Sequence, residues 1–420
     1  MDMEWMNHVW QQLMGLSGMF WLPVGVCIIG LLLKQKFAKA LKSGMLISIG
    51  FLGINMLALF VCDAMEPAME VFSAGGGYTV VDIGWQALAS SAWVMPFSLI
   101  IVAGGYVLNV LLIQKGFTRT LNTDIWDYCH ILFCAAIAYV VFDSALAAIT
   151  VGLLGAVITM KSGDLIAKRW EEHLEYEGTT GSVLFHVSTM FPVYYLCDRI
   201  IERIPGLNKI DIDFDKAARK LGVIADPVFV GFLTGLGIGL AARLDIKQTL
   251  YLAFVIAMFM LLAGRIVSAI TEGISPLSAA AKQWAMSKVG DNPDLLIGMD
   301  FSLGQGDPAA INASVILIPL TVVLALLLPG VSFFPTSLVP NLIVYTCVGS
   351  LACKGNTFRV VIGSVVLIIA MLYAQTWMVP LTTEMIAVAG IETPILITGG
   401  SSASVLAVLI AAIGKLLGTW

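Results

Sequence analysis

The sequence predicts an all-α polytopic membrane protein of about 11 transmembrane helices with two re-entrant hairpins, its halves related as an inverted repeat. Three observations carry that prediction. Of 420 residues, 59% are hydrophobic and 12% are charged, with a mean hydropathy of +0.92; a soluble domain is about 45–50% apolar and about 25% charged. Apolar runs recur at membrane length, which takes about 20 residues per helix. Two acid-bearing interruptions, Val81-Asp82-Ile83-Gly84-Trp85 and Ile297-Gly298-Met299-Asp300-Phe301, each lead into such a run. A carboxylate there is costly unless it faces water, protein or solute. Irregular backbone at that depth survives only inside protein or beside a cavity.

In chain order the predicted spans are 19–33, 44–62, 92–113, 126–142, 144–160, 227–242, 248–264, 311–329, 338–353, 360–379 and 396–414, with hairpins at 66–91 and 293–310. Lys and Arg placement fixes the orientation. With the N-terminus outside, the C-terminus inside and neither hairpin crossing, every Lys and Arg except Arg243 and Lys247 falls on the inner side, as the positive-inside rule requires. The first apolar run follows Asp2 and Glu4 instead of a basic segment, so no cleaved secretory leader is expected. Seven irregularly spaced Cys read as small buried hydrophobes, without a zinc-type pair. The net charge of −5 gives no reason to expect a nucleic-acid partner.

The repeat divides the chain into 1–225 and 226–420. Glycine-rich Ser43–Val61 and Pro227–Ala242 each precede their own half's hairpin, and the halves enter the membrane from opposite sides. Two less apolar segments, 161–225 and 265–292, are expected at the inner membrane surface. In the first, Leu165, Ile166, Trp170 and Leu174 share a helical face, as in an interfacial amphipathic helix; a solvated connector is the plainer alternative.

No nucleophile elbow, P-loop, zinc-protease helix or dinucleotide fingerprint is present. No cofactor, metal or catalytic phospho-residue is expected in the chain. The polar candidates are instead of the kind that bind hydroxyls. Asp82 and Asp300 stand at matched places in the two interruptions, where each could bind solute, cap a hairpin or pair with an Arg. In Asn122-Thr123-Asp124-Ile125-Trp126-Asp127-Tyr128-Cys129-His130, Trp126 and His130 share a helical face. A Trp can cover the apolar face of a sugar, while carboxylates, amides and imidazoles exchange hydrogen bonds with its hydroxyls. Asn122 and Asp124 are equally suited to capping the helix that follows. Trp85 is a sugar platform or an interfacial anchor. Gln305 and Asp307 lie in a glycine-rich tip; Glu177 and His186 follow the amphipathic segment and could fold back toward the cavity.

These residues carry a resemblance. Val81-Asp82-Ile83-Gly84-Trp85, Asn122-Thr123-Asp124-Ile125-Trp126 with His130, Glu175-Tyr176-Glu177-Gly178, Ile204-Pro205-Gly206-Leu207-Asn208-Lys209-Ile210, Arg219-Lys220-Leu221-Gly222 and Ile297-Gly298-Met299-Asp300 occur in order along most of the chain. The set resembles the membrane component, IIC, of the galactitol-type bacterial phosphotransferase system. The resemblance implies a permease of the bacterial inner membrane that moves a polyol or sugar inward. Phosphorylation would come from a separate IIB protein carrying a phosphocysteine, itself supplied by a IIA component. It also implies an elevator-type homodimer: scaffold spans 19–62 and 227–264, against which a core of the hairpins, spans 92–160 and 311–379 and the final span 396–414 would slide. The rival reading from the residues is an ion-coupled transporter of similar architecture, with Asp82 and Asp300 binding H⁺ or Na⁺.

Overall fold

Helices of matched length recur in the two halves of the chain. The computed structural model describes residues 18–74, 79–122, 124–210, 227–289, 294–335, 337–389 and 395–420. The first half holds α1 (Gly18–Leu32), α2 (Phe37–Ala74), β1 (Val80–Asp82), α3 (Gly84–Trp93), α4 (Ser98–Gln114), β2 (Thr120–Asn122), α5 (Ile125–Phe142), α6 (Ala145–Leu174), β3 (Thr179–Gly181), a π-helical turn (His186–Met190) and α7 (Phe191–Glu202). The second half holds α8 (Pro227–Ala241), α9 (Ile246–Val289), β4 (Leu296–Met299), a 3-10 turn (Phe301–Gly306), α10 (Pro308–Leu327), β5 (Phe333–Phe334), α11 (Leu338–Cys353), α12 (Thr357–Val388), β6 (Leu396–Thr398), a second 3-10 turn (Gly400–Ala403) and α13 (Val405–Leu417). α1 and α8 have 15 residues each, and α6 and α12 have 30 and 32.

The protein is mostly helical, as expected, and six short strands are added to that expectation. They form two parallel three-stranded sheets, ordered β5-β1-β6 and β2-β4-β3. In the first, Val80 and Val81 pair with Phe333 and Phe334 on one side, and Val80 to Asp82 pair with Leu396 to Thr398 on the other. In the second, β4 lies between β2 and β3, with Gly298 facing both Asn122 and Thr180. Each sheet therefore takes its central strand from one half of the chain and both edge strands from the other. Gly298 is required: a Cβ there would collide with Ser182 and the backbone of Asn122.

α1, α2, α8 and α9 pack on one another as one bundle. The other helices surround the sheets, and their deepest member is α5, where every residue from Ile131 to Ala138 is fully buried. A helix apolar on all sides belongs in such an interior. Asp124 caps α5 by accepting the Trp126 N–H at 2.9 Å. Asp143, at φ 46°, ends α5, and the Ser144 hydroxyl caps α6 by accepting the Ala147 N–H.

By length and composition, α6 and α12 can each cross a membrane, and Ala87–Trp93 with Ser98–Gln114 form a pair bent by 88°. The bend lies at Pro96, inside the span expected at 92–113. Other expected boundaries also move. The segment expected at the membrane surface from residue 161 continues α6 without a break to Leu174. Its Trp170 and Ile166 are buried while Leu165 is exposed, so this face packs on protein. Residues 265–289 likewise continue α9. In the first expected hairpin, residues 66–74 continue α2 and β1 then leads into α3; in the second, β4 and a 3-10 turn lead into α10; the final span opens with β6 and a 3-10 turn. The part of the first connector at 211–225 lies outside the described residues.

Candidate functional site

The acid at the end of each central strand has a different setting. Asp82 is buried at the end of β1, where Gly84, at φ +85°, turns the chain into α3. Its Oδ1 accepts the Gly84 N–H at 3.0 Å and the Ser337 hydroxyl, and its Oδ2 accepts the Ser337 N–H at 3.0 Å. Ser337 precedes α11, so Asp82 ties the first interruption to the start of that helix.

The second sheet gathers more polar groups. Asn122 accepts the Ser182 hydroxyl at 3.1 Å, and its backbone N–H donates to Asn109 at 2.8 Å. Its side-chain amide donates to Asp127 Oδ2. Asp127 is fully buried, and its Oδ1 accepts the Leu184 N–H at 2.6 Å and the Thr159 hydroxyl at 3.5 Å. Asp127 thus fastens β2, α5, α6 and the segment after β3. A buried carboxylate with its oxygens engaged this way acts as a strut. Asp300, just after β4, lies within electrostatic range of Asp124, Asp127 and His130.

Between the sheets lies an aromatic cluster. Trp85, three residues beyond Asp82, stacks on His130 at 5.1 Å and meets Trp126 edge-on at 5.7 Å. Its indole N–H donates to Asn341 Oδ1 at 3.1 Å. His130 stacks on Phe185 at 5.4 Å, and His186 lies 5.8 Å away. Phe301, the residue after Asp300, meets His186 at 5.2 Å, with Tyr345 at 6.5 Å. The residues that follow β1 and β4 therefore converge on one histidine pair, although the two strands belong to different sheets.

Several polar atoms around this cluster are buried without a hydrogen-bond partner: Nδ1 of His130, Nδ1 of His186 and Oδ2 of Asp124. Both amide atoms of Gln375 and the Ser401 hydroxyl are in the same condition. Ser401 follows Gly400, whose Cβ position lies 3.0 Å from the Tyr345 hydroxyl and 3.7 Å from Trp85. Thr398 links to Gln375 by donating to its backbone carbonyl at 3.1 Å. Buried polar atoms left unpaired cost about 1–3 kcal/mol each. A ligand rich in hydroxyls would satisfy them, and aromatic rings beside them would cover its carbon chain. No group of three or more His, Cys, Asp or Glu side chains among the described residues is placed to hold a metal ion.

The structure brings together Trp85, Trp126, His130, His186 and Asp124, with Asp300 nearby. It places Asp82 and Asn122 in the supporting hydrogen bonds. Glu177 does not join them; it is exposed in the turn before β3. Asp307 is also elsewhere. It caps α10 by accepting the Ala310 N–H at 2.9 Å and binds Ser350 at 2.7 Å and His173 at 2.9 Å. Burial raises the Asp307 pKa, but those bonds from His173, Ser350 and Ala310 outweigh it and hold the carboxyl below its ordinary value. Gln305 lies in the 3-10 turn after β4, and its side chain is outside the described residues. Sequence reasoning missed Phe185 beside His130, Asp127 as a strut, and the buried unpaired groups of Gln375 and Ser401. Asp127 had a signal as part of the polar run 122–130, and Gln375 as a lone polar residue in an apolar helix; Ser401 had none.

The sequence is similar to those of known proteins. The family model described as "PTS system sugar-specific permease component" matches residues 13–418. The chain is 30% identical over 388 residues to the "PTS system galactitol-specific EIIC component" of Escherichia coli K12, covering 91% of this chain and 85% of that protein. It is 27% identical over 375 residues to a "Putative permease IIC component" of the same strain, covering 89% and 85%.

Proposed function

Because the chain belongs to the galactitol-type EIIC permeases of the phosphotransferase system, we propose that it carries a galactitol-like polyol or sugar inward for phosphorylation by a separate IIB protein. The observation that supports this most directly is the histidine pair between the two sheets. Its unpaired Nδ1 atoms, with Asp124 Oδ2, are walled by Trp85, Trp126, Phe185, Phe301 and Tyr345. A neutral imidazole has one donor and one acceptor nitrogen, which suits a hydroxyl. Asp300 would add an acceptor at the inner end. None of these groups needs a covalent role; they bind and orient the hydroxyl that IIB would phosphorylate.

The exchange of strands between halves supports the inverted repeat, and the separate bundle of α1, α2, α8 and α9 supports its use as a fixed scaffold. On this reading the sheets and the histidine pair travel together with the solute, in an elevator-type homodimer with its N-terminus outside and its C-terminus in the cytoplasm.

Uptake into vesicles containing IIA, IIB and the general phosphotransferase proteins tests the proposal. The expected result is phosphoenolpyruvate-dependent uptake that yields phosphorylated galactitol or a related solute. Uptake of unmodified solute driven by a proton or sodium gradient would overturn it and establish the ion-coupled reading.

A further inference from the structure

A polar cavity of about 400 Å³ lies where α7 meets the turn between α11 and α12. Arg169, Asp198, Arg199, Glu202, Lys354 and Arg359 line it. Its size is within the range of about 300–1,000 Å³ typical of small-molecule sites. Four cations face two carboxylates, leaving a surplus of two positive charges.

Both carboxylates are committed to Arg359. Its guanidinium reaches Asp198 at 2.7 Å and Glu202 at 2.6 Å, and also donates to the Asn208 carbonyl at 2.9 Å. Its Nε is buried without a partner. Arg169 and Arg199 are held over one ring, that of Tyr195, at 4.9 and 5.1 Å from its centroid. Arg199 donates to the Tyr195 hydroxyl, and Arg169 to the Ala352 carbonyl. Among the described residues neither makes an ion pair, and neither does Lys354. Two guanidinium groups are thus gathered around one ring at the edge of the cavity. Lys354, at φ 54°, ends α11 in the left-handed conformation, and its position is set by the turn. These are guanidinium forks and a point charge around one cavity, the chemistry that recognises phosphate.

We propose that this cavity binds a small phosphomonoester. The identity of that ligand, the phosphorylated solute, rests on the permease reading; the presence of the site does not. A chain of contacts runs from this cavity toward the start of α10. A Cβ on Gly355 would lie 3.3 Å from the His173 ring, and His173 binds Asp307, the cap of α10 that follows the turn carrying Phe301. A phospholipid headgroup offers the same phosphate chemistry, so the experiment has an arm for it.

Binding is measured on the purified full chain by titration calorimetry with sorbitol 6-phosphate and with galactitol. Arg199→Ala/Lys354→Ala is the test variant, since both side chains are exposed and their loss leaves the core intact. Its thermal unfolding midpoint should match that of the parent. Sorbitol 6-phosphate should bind the parent and lose at least about tenfold in affinity in the variant, with galactitol affinity unchanged. Equal sorbitol 6-phosphate affinity in the two proteins would overturn the site. A parallel fall in galactitol affinity would overturn its separateness from the solute cluster. The lipid arm repeats the titration in phosphatidylcholine vesicles with and without phosphatidylglycerol. Displacement of the phosphomonoester by phosphatidylglycerol, with phosphatidylglycerol retained by the parent and lost by the variant, would assign the site to lipid and overturn the proposal. Failure of phosphorylating uptake with these binding results intact would fall on the permease reading alone.

Discussion

Around β1, a single carboxylate stands at the strand end, and three donors from Gly84 and Ser337 occupy it. Around β4, Asp124, Asp127 and Asp300 crowd together with His130. Asp127 does there what Asp82 does in the first sheet, taking the N–H of Leu184 and the amide of Asn122. Asp124 has one oxygen on the Trp126 N–H and one unpaired. Two sheets of one topology thus differ in what remains after their own backbones are satisfied. The lesson is that an acid at a matched position in a repeat is not by itself a binding group. What separates strut from reader is whether the local backbone already consumes its lone pairs.

The largest effect that would test this contrast comes from removing both struts. Asp127→Leu and Asp82→Leu each leave buried donors stranded, at about 1–3 kcal/mol per donor. Both proteins should lose several kcal/mol and fail to give a monodisperse peak on size exclusion in detergent. If Asp127→Leu is as stable as the parent, Asp127 is not a strut.

Next in size are the readers. His130→Ala and His186→Ala should each weaken solute binding by roughly 10–100-fold, about 1.4–2.7 kcal/mol, with the unfolding midpoint held within a few degrees. Normal affinity in both would remove the histidine pair from the site.

The comparison is sharpest in Asp82→Asn against Asp300→Asn. An amide keeps one acceptor and adds donors where Gly84 and Ser337 already donate. Asp82→Asn should therefore cost about 1–2 kcal/mol of stability while the surviving protein binds solute normally. Asp300→Asn should abolish uptake. The opposite pairing would reverse the roles assigned here.

A smaller effect is expected at Gln375. Its buried amide has no partner, so Gln375→Leu should raise the unfolding midpoint slightly and lower solute affinity a few-fold, read by thermal shift and binding together. The smallest effect concerns Asp307, whose carboxyl sits below its ordinary value through His173, Ser350 and the Ala310 N–H, against the opposing effect of burial. A depressed folded-state pKa contributes stability above the ordinary carboxylate pKa, and that contribution disappears as pH falls through the depressed value. Between pH 5 and pH 3, Asp307→Ala should therefore lose less stability than the parent, by about 1 kcal/mol or less.

The helices were legible because apolar runs, caps and glycine spacing are local signals. Ser144 and Asp143 mark the junction of α5 and α6 in the sequence itself. The strands were not legible. At two to four residues each they are too short to show a period of two, and β1 finds its partners at Phe333 and Leu396. The same distance hid Asp127, whose acidity was visible but whose partner Leu184 was not. His130 and Trp126 were readable from helical spacing. Glu177 was misplaced because its neighbours Tyr176 and Gly178 describe a turn equally well, and the structure leaves it at the surface. The run from 161 to 174 read as a surface helix because its charges lie on one side, yet that side flanks a face which buries Trp170.

The interleaved strands have a consequence for biosynthesis. When the ribosome has finished the first half, β1 has neither neighbour, and the β2 and β3 edges lack the strand that joins them. Those strand edges gain their partners only as Leu296–Met299, then Phe333–Phe334 and finally Leu396–Thr398 emerge. A chain halted before residue 396 would leave one edge of β1 without its partner.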